Sequence, residues 1–436
     1  MINLRDHKKL FVLGKRFASF AGILVMLLLV FSCSNLMVND GGSLIIAMPG
    51  ARSASASSYT IEIQGSNGTS QIKTVAGGST VQFDDLAPDT YRIVVEGIDT
   101  NNKVVVGGAS NATVTAGATA SATVNLVEGV SDYDSLQKAV GNGGTVNILK
   151  SIDVPSSLTV GTNVTIQAAY QDVTLKNISS GNLFIIDNSS GNLTIGGGEH
   201  TITLNGNQVA KVIIKMSSGT VTLASNGIIS NAASTGVSVN GGTFNMTGGS
   251  ITGNIGSSGG GVNLSSARFN MTGGSISGNT VTGFGGAVSM SSGTFSMTGG
   301  SIDNNSSDNK GGGVSVSGGE FKLSGGSITG NSAKNDGDGV YMSSGTFNMS
   351  GSAVVALNND VYLYNQTITV TSSLTGATPV ARITPNEYKA DTAILTNGMD
   401  DAFGLISEVE KFKVTPNPAD GSEWTIDTAG KLKKAQ

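Results

Sequence analysis

One cysteine in 436 residues leaves no way to form a disulfide within the chain, so its stability must come from packing alone. Of two histidines, only His200 lies beyond residue 32. Charged residues are 13%, about half the ~25% of ordinary globular domains. Low charge argues against ordinary disorder, which needs high net charge and few β-branched residues. In place of charge the chain carries Val, Ile and Thr, which suit strands, and 62 glycines, which suit sharp turns. This is the composition of an extended all-β protein, long enough for two or three domains.

The basic residues are unevenly placed. Arg5, Lys8, Lys9, Lys15 and Arg16 precede FASFAGILVMLLLVFS, residues 17 to 32, which has no charge. That run is shorter than the ~20 residues of a membrane span and fits a secretory signal. It ends at Cys33. Val30-Phe31-Ser32-Cys33 resembles the lipobox of bacterial lipoproteins. The resemblance implies a signal peptide over 1–32, lipid attachment at Cys33, and a tether over 33–42. An uncleaved anchor helix, or a plain signal peptide with a chance cysteine, is the plainer reading. Removing 1–32 takes away five basic residues and one acidic one, leaving 20 against 29, a net charge of −9. That balance offers no basic stripe for nucleic acid.

Residues 43–128 read as a separate β-sandwich. SLIIAM, SYTIEIQ, STVQF, TYRIVVEGI, KVVVGG and SATVNLV are short strand-like runs parted by turn signals such as SNGT, APD and DTNN. About seven strands are expected. LAPDTYRIVVEG resembles the turn and strand of immunoglobulin-like and transthyretin-like modules, which implies a spacer. Next, SDYDSLQKAVGNGG places Leu136, Ala139 and Val140 at helical spacing. Ser131 or Asp132 can cap the start, and Gly141 can end it.

The rest of the chain repeats. Phe244, Phe269, Phe295, Phe321 and Phe347 are 25, 26, 26 and 26 positions apart. Met246, Met271, Met297, Leu323 and Met349 follow two places later. Ile251, Ile276, Ile302, Ile328 and Val354 form another column. Val237, Val262, Val288, Val314 and Val340 form a third. Three short apolar segments separated by glycine-rich turns make one coil of a parallel β-helix, with three strands per coil. Each Phe should then stack on the Phe of the next coil. Asn254, Asn279, Asn305 and Asn331 stand three places after the Ile column and should form an amide ladder. Ordinary Asn-rich turns are the plainer alternative. Val221, Leu223, Ile228 and Asn231 fit an earlier coil. Taking 146–372 as coils gives about nine turns and a length of roughly 43 Å. The expected division is a parallel β-helix with its N-terminal capping helix over 129–372, then cap strands over 373–436. Tyr362, Tyr364, Phe403, Phe412 and Trp424 gather at that end.

The repeat resembles the right-handed parallel β-helix proteins, of the pectin lyase-like kind, found in host-associated anaerobes and spirochaetes. It is more distantly similar to chlamydial polymorphic membrane proteins through Gly285-Gly286-Ala287-Val288. The resemblance implies an exported, lipid-anchored protein of the outer membrane or cell surface. An adhesin or structural component without catalysis is the leading expectation. Its implied partners are the membrane, through the lipid, and a host matrix protein or a glycan. The ending KLKKAQ is not that expected of a complete autotransporter. The alternative is a polysaccharide-binding or polysaccharide-cleaving enzyme. Such chemistry needs clustered carboxylates with Arg, Lys or His partners. Arg268 is the only arginine in the coil region, and Asp303, Asp308, Asp336 and Asp338 are the best acidic cluster. Their plain reading is solvated turns; Ca²⁺ ligation is a second. No catalytic residue, metal ligand or cofactor is assigned.

Overall fold

The structure is a computed structural model that describes residues 41–48, 56–76, 80–399 and 404–435. Cys33 and the 1–32 signal segment lie outside the described residues, as does Phe403. Among the described residues, no helix is long and apolar enough to cross a membrane.

Gly42–Ala47, Ser58–Gln64 and Asp89–Ile98 alternate buried and less buried residues, so one face of each supplies core, while Ser70–Val75 has no buried residue. Gly42–Ala47 lies between Thr80–Leu86, antiparallel, and Thr119–Thr123, parallel. A five-stranded sheet holds Ser70–Val75, Ser58–Gln64, Asp89–Ile98, Val104–Val114 and Val127–Glu128 in that order. These small sheets fit a β-sandwich. Tyr91 marks the type: its hydroxyl donates to the Ala87 carbonyl at 3.0 Å, four residues back, as a tyrosine corner does. Asp89 accepts hydrogen bonds from the Ser66 hydroxyl and backbone N–H, which hold its carboxyl below the usual value.

The capping helix runs Tyr133–Asn142. Asp132 is its N-cap and accepts from the Ser135 N–H at 3.2 Å. It does not end at Gly141, as expected above, but at Gly143, whose φ of 81° suits glycine. Leu136 and Val140 are buried in the same core as the coils.

The coils form a parallel β-solenoid of three sheets, here named by their inward columns. The Phe sheet has eleven strands, from Gly144–Ile148 to Leu395–Asn397. The Ile sheet has nine, from Ile152–Val154 to Val354–Val355, and the Val sheet eleven, from Leu158–Thr159 to Phe412–Val414. The coiling therefore runs on past residue 372. A period-two pattern turns Phe, Met, Ile and Val inward and leaves Ser, Thr and Asn outside. Phe244 through Phe347 are fully buried and stacked, with successive ring centroids 5.0, 4.5, 4.9 and 4.8 Å apart.

Two column assignments need correction. Ile229, not Ile228, pairs with Ile251, and Val355, not Val354, pairs with Ile328. The cause is turn length. Met246 to Ile251 is five positions, and each middle coil keeps that count. Leu223 to Ile229 and Met349 to Val355 are six. One extra residue reverses which side chains face inward. For the same reason Asn231 is not a ladder rung; Ala232 stands there, its N–H donating to Asn254 Oδ1 at 2.9 Å.

In the ladder, each Asn side-chain amide donates to the next coil's Oδ1. The distances are 2.8 Å for Asn254 to Asn279, 2.9 Å to Asn305, 2.9 Å to Asn331 and 3.1 Å to a fifth rung, Asn359. Backbone N–H groups of the same residues share these acceptors. Buried amides paired in this way avoid the ~1–3 kcal/mol cost of each orphaned polar group.

At the C-terminal end a buried carboxylate does related work. Glu408, 2% exposed, accepts from the Leu374 N–H at 2.9 Å and pairs with Lys411 Nζ at 2.9 Å. Lys411 also donates to the Leu374 carbonyl at 2.6 Å. An antiparallel hairpin, Trp424–Ile426 with Leu432–Lys434, follows.

Candidate functional site

Between the Ile and Val sheets the middle coils carry a longer connection. Ile255–Gly256, Thr280–Val281, Ser306–Ser307 and Ser332–Ala333 pair as a small fourth parallel sheet. The chain then turns back over the Val sheet at Gly259, Gly285, Gly311 and Gly337, all at positive φ. At Gly285 a Cβ would meet the Val288 carbonyl oxygen at 2.1 Å, so only glycine lets the loop lie this close. The loop forms one wall of a lane whose floor is the outward column of the Val sheet: Ser289, Ser315, Tyr341 and Tyr362.

Two recesses lie along this lane. One of about 270 Å³ is lined by Phe284, Ser289, Ser315, Ser317, Tyr341 and Ser343. Phe284 is 41% exposed, unusual for so large an apolar side chain. The second, of about 300 Å³, is bounded by the 335–338 loop, Asp360, Tyr362, Arg382 and Thr384. The recesses meet at Tyr341 and Tyr362, whose rings stack with centroids 5.6 Å apart. Lys310 Nζ sits 4.7 Å from the Tyr341 centroid and 2.7 Å from Asp336 Oδ2. The Asp336 carboxylate holds the lysine's pKa up, and burial pushes the Tyr362 phenol up. Nearby Tyr388 is pushed up to about 12 by burial. These shifts carry the groups away from neutral pH, not toward the range of a general base.

The four sequence-selected acids do not share one place. Asp303 is on the Ile sheet, where it accepts from Ser275, Ser301 and Asn304 side chains. Asp308 does not line the second recess; Asp336 and Asp338 do. Asp338 Oδ1 accepts the Ala333 N–H at 2.7 Å, which ends the fourth sheet at its open edge. Asp360 Oδ1 accepts the Asp338 N–H at 2.7 Å in turn. Burial raises the Asp360 pKa. Among the described residues, no group of three or more His, Cys, Asp or Glu side chains is placed to hold a metal ion. His200 stands at an isolated bridge with Ala168, outside the lane. Arg268 is on the Phe sheet, also outside it.

The sequence reading did not single out Asp360 or Arg382 as site residues: it looked for acids in the regular repeat, and it closed the coils at 372, before Arg382. A signal was present. Val361-Tyr362-Leu363 repeats Val340-Tyr341-Met342, and the structure pairs them residue for residue.

No family model matches the chain. No curated protein matches it. Among solved structures, a pectate lyase from Pectobacterium carotovorum matches at 10% identity, over 86% of this chain and 97% of that one, with a TM-score of 0.16. So slight a likeness says nothing about the lane.

Proposed function

We propose that this is an exported, lipid-anchored surface protein whose coils bind a glycan chain along the Val-sheet lane, without catalysis. The observation that carries the reading is that the lane is made by one position repeated coil after coil. Such a site extends along the coil axis and suits a polymer with its own repeat, where a small molecule would need an enclosed pocket. Its chemistry suits sugars: Phe284 and the tyrosine pair offer apolar ring faces, and Ser289 and Ser315 offer hydroxyls. The basic residues 5–16, the uncharged run 17–32 and Cys33 at its end support the anchor.

Detergent-extracted full-length protein on arrays of glycans and matrix proteins tests this. Glycan binding that weakens by more than about 1 kcal/mol in Phe284→Ala supports it. Binding to matrix proteins alone would overturn the glycan assignment. Release of new reducing ends from a bound polysaccharide would replace the non-catalytic reading with an enzymatic one.

A further inference from the structure

We propose that the second recess is an anion subsite, in which Arg382 takes a carboxylate or sulfate carried by the bound chain. The inference rests on the glycan reading of the lane and names the class of glycan. Arg382 faces the recess, and among the described residues its guanidinium has neither an ion pair nor a hydrogen bond. It is partly buried, always charged, and shaped to hold a carboxylate or sulfate with two parallel bonds. A guanidinium in that setting lacks a counter-ion that it would gain from a ligand.

The acids beside it do not fill that role. Asp360 is its register neighbour, but its carboxylate is turned onto the Asp338 N–H. Asp338 is turned onto the Ala333 N–H, and Asp336 is neutralised by Lys310. On the other side, Lys413 pairs in register with Arg382 and is exposed, adding a second cation. The C-terminal end of the lane therefore presents two cations, Arg382 and Lys413, that no carboxylate pairs with directly among the described residues.

Full-length protein would be titrated with a polyuronate, a sulfated glycosaminoglycan and neutral dextran at low and high salt. At least one anionic chain should bind more tightly than dextran and weaken with salt. Arg382→Gln should lower that affinity about 10- to 100-fold, and Arg382→Lys should restore part of it. Lys176→Gln, on the Ile sheet, should leave it unchanged. In the wild-type protein, the anionic chain should shield Arg382 from arginine-selective modification by phenylglyoxal, read by mass spectrometry. That readout holds even if Arg382→Gln folds poorly. Equal binding of dextran, or no shielding of Arg382, sinks the anion subsite and leaves the glycan lane standing. Binding to no glycan at all sinks both.

Discussion

The middle coils and the coils past residue 350 solve the same packing problem in different ways. From Thr243 to Met349 each coil meets a near copy of itself, so one set of side chains serves throughout: Phe on Phe, Met on Met or Leu, Asn on Asn. Past 350 the turns change length and the copies stop. There the structure relies on single features such as the Glu408–Lys411 pair and the Asp360 carboxylate. Repetition secures the core, while individual polar groups with separate jobs collect where repetition fails. The lane follows the same rule, since its serines lie in the regular coils and its charged recess lies at their end.

The sharpest way to break this comparison is at the centre of the stack. Phe295→Ala should cost about 3 to 5 kcal/mol, because rigid neighbours on both sides keep the cavity open. In hydrogen exchange, the loss should concentrate in the coils of Phe269 and Phe321, since coils touch only their neighbours. Equal loosening of the coils past 350 would mean that the two regions form one cooperative unit.

Lys411→Met tests the other region. It leaves the Glu408 carboxylate buried with only the Leu374 N–H and the Ser407 hydroxyl as partners. The expected cost is about 2 to 3 kcal/mol, below that of a fully buried pair because Lys411 is partly exposed. Denaturant melts that match wild type would show the pair to be dispensable.

The smallest effect belongs to Asp360→Asn. Burial raises the Asp360 pKa, so the folded protein holds that proton more tightly than the unfolded chain. The stabilisation is present at acid pH and fades as pH rises through the raised value. Asn keeps an acceptor for the Asp338 N–H and removes the titration. At neutral pH the variant should lie within about 1 kcal/mol of wild type, on the stable side. Its stability relative to wild type should grow from pH about 4 upward. Urea melts across that range decide it, and the opposite slope would mean that the ionised carboxylate is favoured.

The fold was readable in the sequence because a coil that stacks on itself writes its inward residues at a fixed interval. The Phe and Asn columns are visible before any coordinates. Two things hid the rest. A single extra residue in the turns before Ile229 and Val355 shifts the inward positions by one, and spacing alone does not reveal it. The charged recess draws on Asp338, Asp360 and Arg382, from three successive strands or loops; the Val-Tyr repeat links the first two, and the strand of Arg382 does not continue it. What joins them is stacking across the Val sheet, and the period that would announce it has by then lapsed.

The amide ladder also has a direction. Every rung from Asn254 to Asn331 donates toward the C-terminal side and accepts from the N-terminal side, so the amide dipoles add along the coil axis. Hydrogen bonds in such a row polarise one another, and the inner rungs gain more than the outer ones. The row starts with an Oδ1 held by the Ala232 N–H and closes at Asn359, whose amide donates to the Asn331 and Asn358 carbonyls and to no further Oδ1. Coils that look interchangeable from the side therefore form an electrically polar stack, with two ends that are not equivalent.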